Sequence, residues 1–245
     1  MSNDDGPEWA AAADAVAHVF VDGLDDVCDV GGEDGHHLQR VRRLTRGERI
    51  TAADGAGRWR LYEIVDTRRG GLTLVAVAPH RDEPMLKPGV ALAVALSKAG
   101  LDTIAARTTE LGVARIVPVQ TERSIVRWDA SKAVAAVNRL RTVVREAAAQ
   151  SRRARLPVVE PATTLPELAA RPDVVVADRS GVGPAALPVA ITGEWTVVVG
   201  PEGGLSPSEL ELLAGAPRLG LGPHVLRAET APIAAAAVLL GCTRS

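Results

Sequence analysis

The chain has 245 residues, 47% of them hydrophobic, and a formal net charge of −2, so it can bury a sizeable core in one or two domains but carries no global basic field to draw in a polyanion. Four Trp, one Tyr and one Phe exclude a single-strand nucleic-acid platform of stacked rings, and Cys28 and Cys242 exclude a disulfide framework or a spaced zinc site. No apolar run is long enough to span a bilayer, the N-terminus is acidic where a signal peptide is basic, and His36 and His37 lack metal-site partners; a cytoplasmic protein without membrane or metal contacts is expected.

Residues 1–35 hold ten acids and no Lys or Arg, and residues 1–15 read as a disordered lead. His18 to Val21 predicts a short strand, His36 to Leu44 a helix ending before Gly47, and Ile50 to Ala53 a strand. Asp54-Gly55 signals a tight turn. Trp59 to Val65 continues as a strand, Gly70-Gly71 turns again, and Leu72 to Val77 alternates as a third. A β-rich module over residues 16–80 follows, with a proline-bearing linker over 81–89.

The pattern then changes. Val90 to Leu96 is continuously apolar. Leu101, Ile104, Ala105, Thr108 and Leu111 recur at helical spacing before Gly112, a residue suited to end a helix. Ile116 to Val119 reads as a strand, Ala130 to Gln150 as a long helix, and Val174 to Ala177 and Thr196 to Val199 as apolar strands. Wholly apolar strands alternating with helices predict an α/β domain over 90–245, its parallel sheet covered on both faces.

Two arginine clusters stand out: Arg40, Arg42, Arg43, Arg46 and Arg49, then Arg139, Arg141, Arg145, Arg152, Arg153 and Arg155. Either solvated surface or local RNA contact fits that density. The sharpest motif is Val197-Val198-Val199-Gly200-Pro201-Glu202-Gly203-Gly204-Leu205-Ser206-Pro207-Ser208-Glu209-Leu210. A buried strand enters a glycine-rich turn; Ser206 then caps a helix, with Pro207 first and Glu209 completing a capping box. Parallel sheets bind ligands at the carboxyl ends of their strands. The loop lacks the Gly-Lys-Ser/Thr of a phosphate-binding loop, and Glu202 would repel phosphate.

A second segment, Leu219-Gly220-Leu221-Gly222-Pro223-His224-Val225-Leu226-Arg227-Ala228-Glu229-Thr230-Ala231, precedes an apolar helix, Ile233 to Leu240. The two segments together resemble the C-terminal signature of the SPOUT methyltransferases. They are most similar to the RsmE type, which methylates N3 of a uridine in small-subunit ribosomal RNA. Thr109-Glu110-Leu111-Gly112-Val113, Thr121-Glu122-Arg123-Ser124 and Glu146-Ala147-Ala148-Ala149-Gln150-Ser151 resemble further stretches of that family. His37 to Leu44 and Asp54-Gly55 resemble its PUA-like RNA-binding domain. The similarity covers nearly all of the chain beyond the acidic lead.

The resemblance implies a trefoil-knotted α/β domain beside a small N-terminal β-rich PUA-like domain, a homodimer, S-adenosylmethionine as cofactor and 16S ribosomal RNA as substrate. Carried over by position, Leu96, Gly200, Pro201, Glu202, Gly203, Leu221, Gly222, Leu226, Arg227, Thr230 and Ala231 would hold the cofactor. His37, Arg40, Arg42, Arg43, Arg123 and Arg153 would meet RNA. Uridine N3 attacks only after losing its proton, so Glu229 and Glu146 are the candidate proton acceptors, and Arg227 and Arg153 the candidate cations. The chain departs from the family pattern at Arg107, Ala149, Arg152, His224, Ala228 and Pro232. Another SPOUT enzyme acting on tRNA or a ribose hydroxyl, or an inactive knotted RNA-binding assembly factor, would share most of these features.

Overall fold

The structure, a computed structural model, describes residues 12, 14–40, 42–97 and 100–242, without the side chains of residues 33, 37 and 40. It divides into two compact units, Met1–Pro84 with Ala148–Leu156, and Met85–Ala147 with Pro157–Ser245.

The first unit is built on a mixed sheet. Its strands are β1 (Ala17–Phe20), β2 (Val27–Val30), β3 (Arg49–Ala53), β4 (Arg58–Arg68), β5 (Gly71–Ala76) and the short β6 (Arg81–Asp82), with one helix, α1 (Gly32–Arg40). The order is β1-β3-β4-β5-β2, with β6 pairing β4. β1 runs parallel to β3, with Ala17 opposite Ile50; the other pairs are antiparallel. Ile50, Tyr62, Ile64, Leu72 and Leu74 are fully buried in its core. A smaller cluster joins Ala12, Ala15, Phe20, Trp59 and Leu61 to Ala148 and Ala154.

Two departures from expectation have local causes. Helix α1 begins four residues earlier than predicted and stops at Arg40. Gly32 takes φ +63° and opens it, and a side chain at Gly35 would fall 2.5 Å from the Val30 carbonyl and 2.9 Å from that of Gly70, so glycine admits the helix against the β4–β5 turn. Strand β2, unpredicted, is an edge strand whose exposed Val27 and Asp29 hide the alternation.

Residues Arg152 to Leu156 are fixed to this unit through their backbone and through the side chains of Arg152 and Arg153. The Glu83 carboxylate accepts from the amides of Ala154 and Arg155. The Gly57 amide donates to the Ala154 carbonyl, and Leu156 to that of Gly55. His18 bridges the same segment: Nδ1 lies 2.7 Å from Thr51 Oγ1 and Nε2 3.1 Å from the Arg153 carbonyl.

The second unit is a parallel α/β layer structure. Its strands are β7 (Gly89–Ala95), β8 (Arg115–Gln120), β9 (Val158–Val159), β10 (Thr163–Thr164), β11 (Val174–Val182), β12 (Glu194–Val199) and β13 (Arg218–Leu219). They order as β10-β8-β7-β12-β11-β13, with β9 beside β8, and every pair is parallel. Strand β7 is buried along its whole length, as a central strand covered on both faces must be. Helices α2 (Leu101–Leu111), α3 (Ala130–Ser151) and α6 (Thr230–Cys242) supply the core on one face. Helices α4 (Leu165–Ala169) and α5 (Pro207–Leu212) supply it on the other. Alternation sorts the strands: Leu92 and Val94 join the first core, Ala93 and Val198 the second. Gly112 ends α2 at φ +111°, its amide bonding the Thr108 and Thr109 carbonyls. Among the described residues no helix is long and apolar enough to cross a membrane, and no cluster of three metal-ligating side chains forms.

Burial pulls the His18 ring down to about 4 from its ordinary 6.5. The folded protein holds it neutral where the unfolded chain takes up a proton, so its contribution to stability is present above pH 6.5 and is lost as pH falls from 6.5 toward 4, by about 3 kcal/mol. Thermal denaturation from pH 7 to pH 4 should show a loss of melting temperature that is shallower in His18→Gln. Parallel profiles would contradict this.

Candidate cofactor site

Strand β12 delivers the glycine turn to the carboxyl edge of the sheet. Pro201 to Gly204 closes on itself, the Gly204 amide donating to the Pro201 carbonyl at 2.8 Å with Gly204 at φ +68°. Ser206 then caps α5: its Oγ accepts from the Glu209 amide, and Glu209 Oε2 accepts from the Ser206 amide at 2.8 Å. The predicted capping box is therefore formed.

Glu209 does more than the box requires. It is only 3% exposed, and its Oε1 accepts from the Glu122 amide at 2.7 Å. Arg123 Nη1 donates to the carbonyls of Gly203 and Leu205 at 2.9 and 3.1 Å. Ser208 Oγ donates to Glu122 at 2.9 Å, and hydroxyls of Ser206 and Ser208 hold the Glu122 carboxyl below its usual range. The Thr121–Ser124 corner is thus a brace for the glycine turn. Arg123, expected to meet RNA, spends its guanidinium on backbone carbonyls of that turn.

The neighbouring strand contributes the opposite wall. Leu219 in β13 is the register partner of both Ala177 and Val182 in β11, so the four residues between leave the ladder and return to it. The Gly220 amide donates to the Val182 carbonyl at 2.8 Å. A side chain at Gly181 would fall 2.5 Å from the Gly220 nitrogen, and one at Gly220 2.5 Å from the Gly181 carbonyl oxygen. Only glycine fits at either position.

Between these walls lies a cleft of about 420 Å³. Gly200, Pro201, Glu202, Gly204 and Leu205 line it from the glycine turn. Val176, Ala177, Asp178 and Arg179 line it from β11, and Leu221, Gly222, His224, Val225, Leu226, Ala228 and Ala231 from the C-terminal segment. Of the predicted cofactor residues, the cleft gathers Gly200, Pro201, Glu202, Leu221, Gly222, Leu226 and Ala231. Gly203 lies in the same turn with its carbonyl on Arg123. Thr230 opens α6, and the carbonyl of Arg227 accepts from the Thr230 and Ala231 amides. Leu96 is buried in the core beyond β7, 1% exposed. The side chains of Arg227, Glu229 and Glu146 are exposed and are not part of the cleft wall.

The predicted RNA contacts divide as well. Arg42 donates to the Val16 carbonyl. Arg43 is exposed, at φ +54°, and among the described residues has no partner. The side chains of His37 and Arg40 lie outside the described residues. Arg153 is 11% exposed, with Glu83 at 3.8 Å. Its cluster-mates are engaged too: Arg139 with Asp102, Arg141 with Asn138 and the Val159 carbonyl, Arg152 with the carbonyls of Ala12 and Ala15. Much of the second arginine cluster thus serves the fold, and Arg153 is withdrawn from solvent.

Asp178 and Arg179 were missed from sequence. Their signal was the polar step directly after an apolar parallel strand, the position where such sheets bind ligands. Asp178 Oδ1 accepts from the Ser180 amide and hydroxyl, and Oδ2 from Arg218 at 2.9 Å; these bonds, the Ser180 hydroxyl first, keep its carboxyl below its ordinary range.

Removing the buried carboxylate that joins brace to turn strands two amides. Glu209→Ala should cost about 2–4 kcal/mol in denaturant unfolding. A loss under 0.5 kcal/mol would show that the bridge carries no weight.

Residues 85–240 match the RNA methyltransferase domain family, and residues 30–77 match the RNA methyltransferase PUA domain family. The chain is 36% identical over 241 residues to ribosomal RNA small subunit methyltransferase E of Mycobacterium bovis, covering 91% of this chain and 88% of that one. It is 30% identical over 219 residues to the Bacillus subtilis protein of the same name, covering 83% and 86%. Its structure is similar to that of ribosomal RNA small subunit methyltransferase E from Neisseria gonorrhoeae bound to S-adenosyl methionine, with a TM-score of 0.81, 26% identity, and coverage of 92% and 97%. With a parallel α/β domain, an N-terminal PUA-like domain and a cleft at the glycine turn, the chain belongs to the ribosomal RNA small subunit methyltransferase E family.

Proposed function

We propose that the protein transfers the methyl group of S-adenosylmethionine to N3 of a uridine in 16S ribosomal RNA. The observation that carries this reading is the cleft formed by the glycine turn and the Leu221–Ala231 segment at the carboxyl ends of β11 and β12, in a chain of this family. Its volume falls within the ordinary range for small-molecule sites. Val176, Ala177, Val199, Leu205 and Leu226 give it apolar walls suited to an adenine ring, and the glycines let backbone amides come close to a ligand.

The cofactor, when bound, supplies a methyl carbon already activated by the sulfonium. The chain must orient the uracil for in-line attack and take the N3 proton. Asp178 is committed to Ser180 and Arg218. Glu202 is exposed in the cleft wall and, among the described residues, carries no partner. We therefore assign the proton to Glu202 rather than to Glu229 or Glu146. The reading includes a homodimer in the cytoplasm and a knotted chain path, and it gives RNA contact to the PUA-like unit.

Calorimetry should show S-adenosylmethionine binding with one site per chain. In a deletion strain, mapping of 16S ribosomal RNA should find one N3-methyluridine missing, and the gene should restore it; an unchanged modification map would refute the assignment. Glu202→Gln should lower kcat by about 10²- to 10⁴-fold with cofactor affinity retained, while Glu229→Gln and Glu146→Gln stay near wild type. The reverse pattern would move the proton acceptor to the residue whose variant fails.

A further inference from the structure

We propose that Arg179 is the cation that binds an anionic oxygen of the RNA substrate at the mouth of the cofactor cleft, an inference that rests on the reading of this chain as an RNA methyltransferase. Among the described residues, Arg179 is the one arginine that lines the cleft. Arg227, between the lining residues Leu226 and Ala228, is exposed and does not line the cleft, and two other guanidiniums of the surrounding walls are committed. Arg218 is paired with Asp178 at 2.9 Å, and Arg123 holds the Gly203 and Leu205 carbonyls. Arg179 is exposed and makes no hydrogen bond or ion pair among the described residues.

The adjacent acid cannot neutralise it. Asp178 already accepts three hydrogen bonds, from the Ser180 amide, the Ser180 hydroxyl and Arg218. That arrangement leaves one full positive charge at the rim of a cleft whose remaining charged wall residue is Glu202. An exposed guanidinium in the cleft wall suits a group arriving from solvent on a large partner. Its planar fork pairs two oxygens of a phosphate, or the oxygen beside N3 of a deprotonated uracil. The residue is carried in the excursion of β11 between Ala177 and Val182, whose return to the ladder is fixed at Leu219 and Gly220. Its backbone is therefore anchored on both sides.

The test measures binding rather than turnover. Wild type, Arg179→Gln and Arg179→Lys are titrated with a small-subunit ribosomal RNA transcript at several salt concentrations, and separately with S-adenosylhomocysteine. Arg179→Gln should weaken RNA binding by about tenfold and make the slope of log K against log salt shallower by about 1. Arg179→Lys should recover part of the affinity, and affinity for S-adenosylhomocysteine should stay within about twofold. Loss of cofactor affinity with RNA binding intact would overturn the proposal, as would no change in either or a parallel loss of both with a lowered melting temperature. A wild type without salt-dependent RNA affinity would overturn it too. A wild type that binds the transcript but never methylates it would instead defeat the functional reading and leave the Arg179 comparison standing.

Discussion

The cleft depends on a place where two stretches of backbone press against each other without side chains between them. At Gly181 and Gly220 a methyl group on either residue would sit 2.5 Å from backbone atoms of the other. Such contact holds only where nothing projects, so the pair fixes how closely the C-terminal segment follows β11. From that contact the segment runs through Leu221, Gly222 and Leu226 along one wall of the cleft before α6 begins. The opposite wall is fixed by different physics. There a buried carboxylate, Glu209, gathers the amides of Ser206 and Glu122, and a guanidinium gathers two carbonyls. One wall is set by sterics and the other by hydrogen bonds.

Charge in the second unit is divided by task. Arg115 and Arg171 share Glu160, and Arg115 also meets Glu194, a network within the fold. Arg218 answers Asp178 inside the cleft wall. A near-neutral protein can thus present local positive charge where it is wanted, because most of the arginines among the described residues are already answered by acids or carbonyls. A count of arginines overstates the surface field; the pairing decides it.

Much of this was legible in the residues. The apolar run Val90–Leu96, the spacing of Leu101, Ile104 and Thr108, and the capped turn at Ser206 all signal through local physics: periodicity, capping and glycine conformation. What escaped was non-local. Arg123 reads as a surface cation until Gly203, eighty positions along the chain, is placed beside it. Arg153 reads the same way until Glu83 is. Asp178 and Arg179 follow an apolar strand and could have been found from sheet topology, but the C-terminal segment that completes their wall arrives forty residues later. Glu146 and Glu229 carry the right chemistry in matching motifs, yet neither side chain lines the cleft. Motif membership located the neighbourhood and could not decide which way a side chain points.

The division of the chain has a consequence for the order in which it is made. The first unit includes Ala148–Leu156 as well as its N-terminal stretch. Glu83 stays without the amides of Ala154 and Arg155, and His18 without the Arg153 carbonyl, until that later stretch has emerged from the ribosome. The unit whose synthesis starts first therefore cannot be finished until more than sixty residues of its successor have been translated. A break at the proline-bearing stretch between them would release a fragment missing part of its own interior.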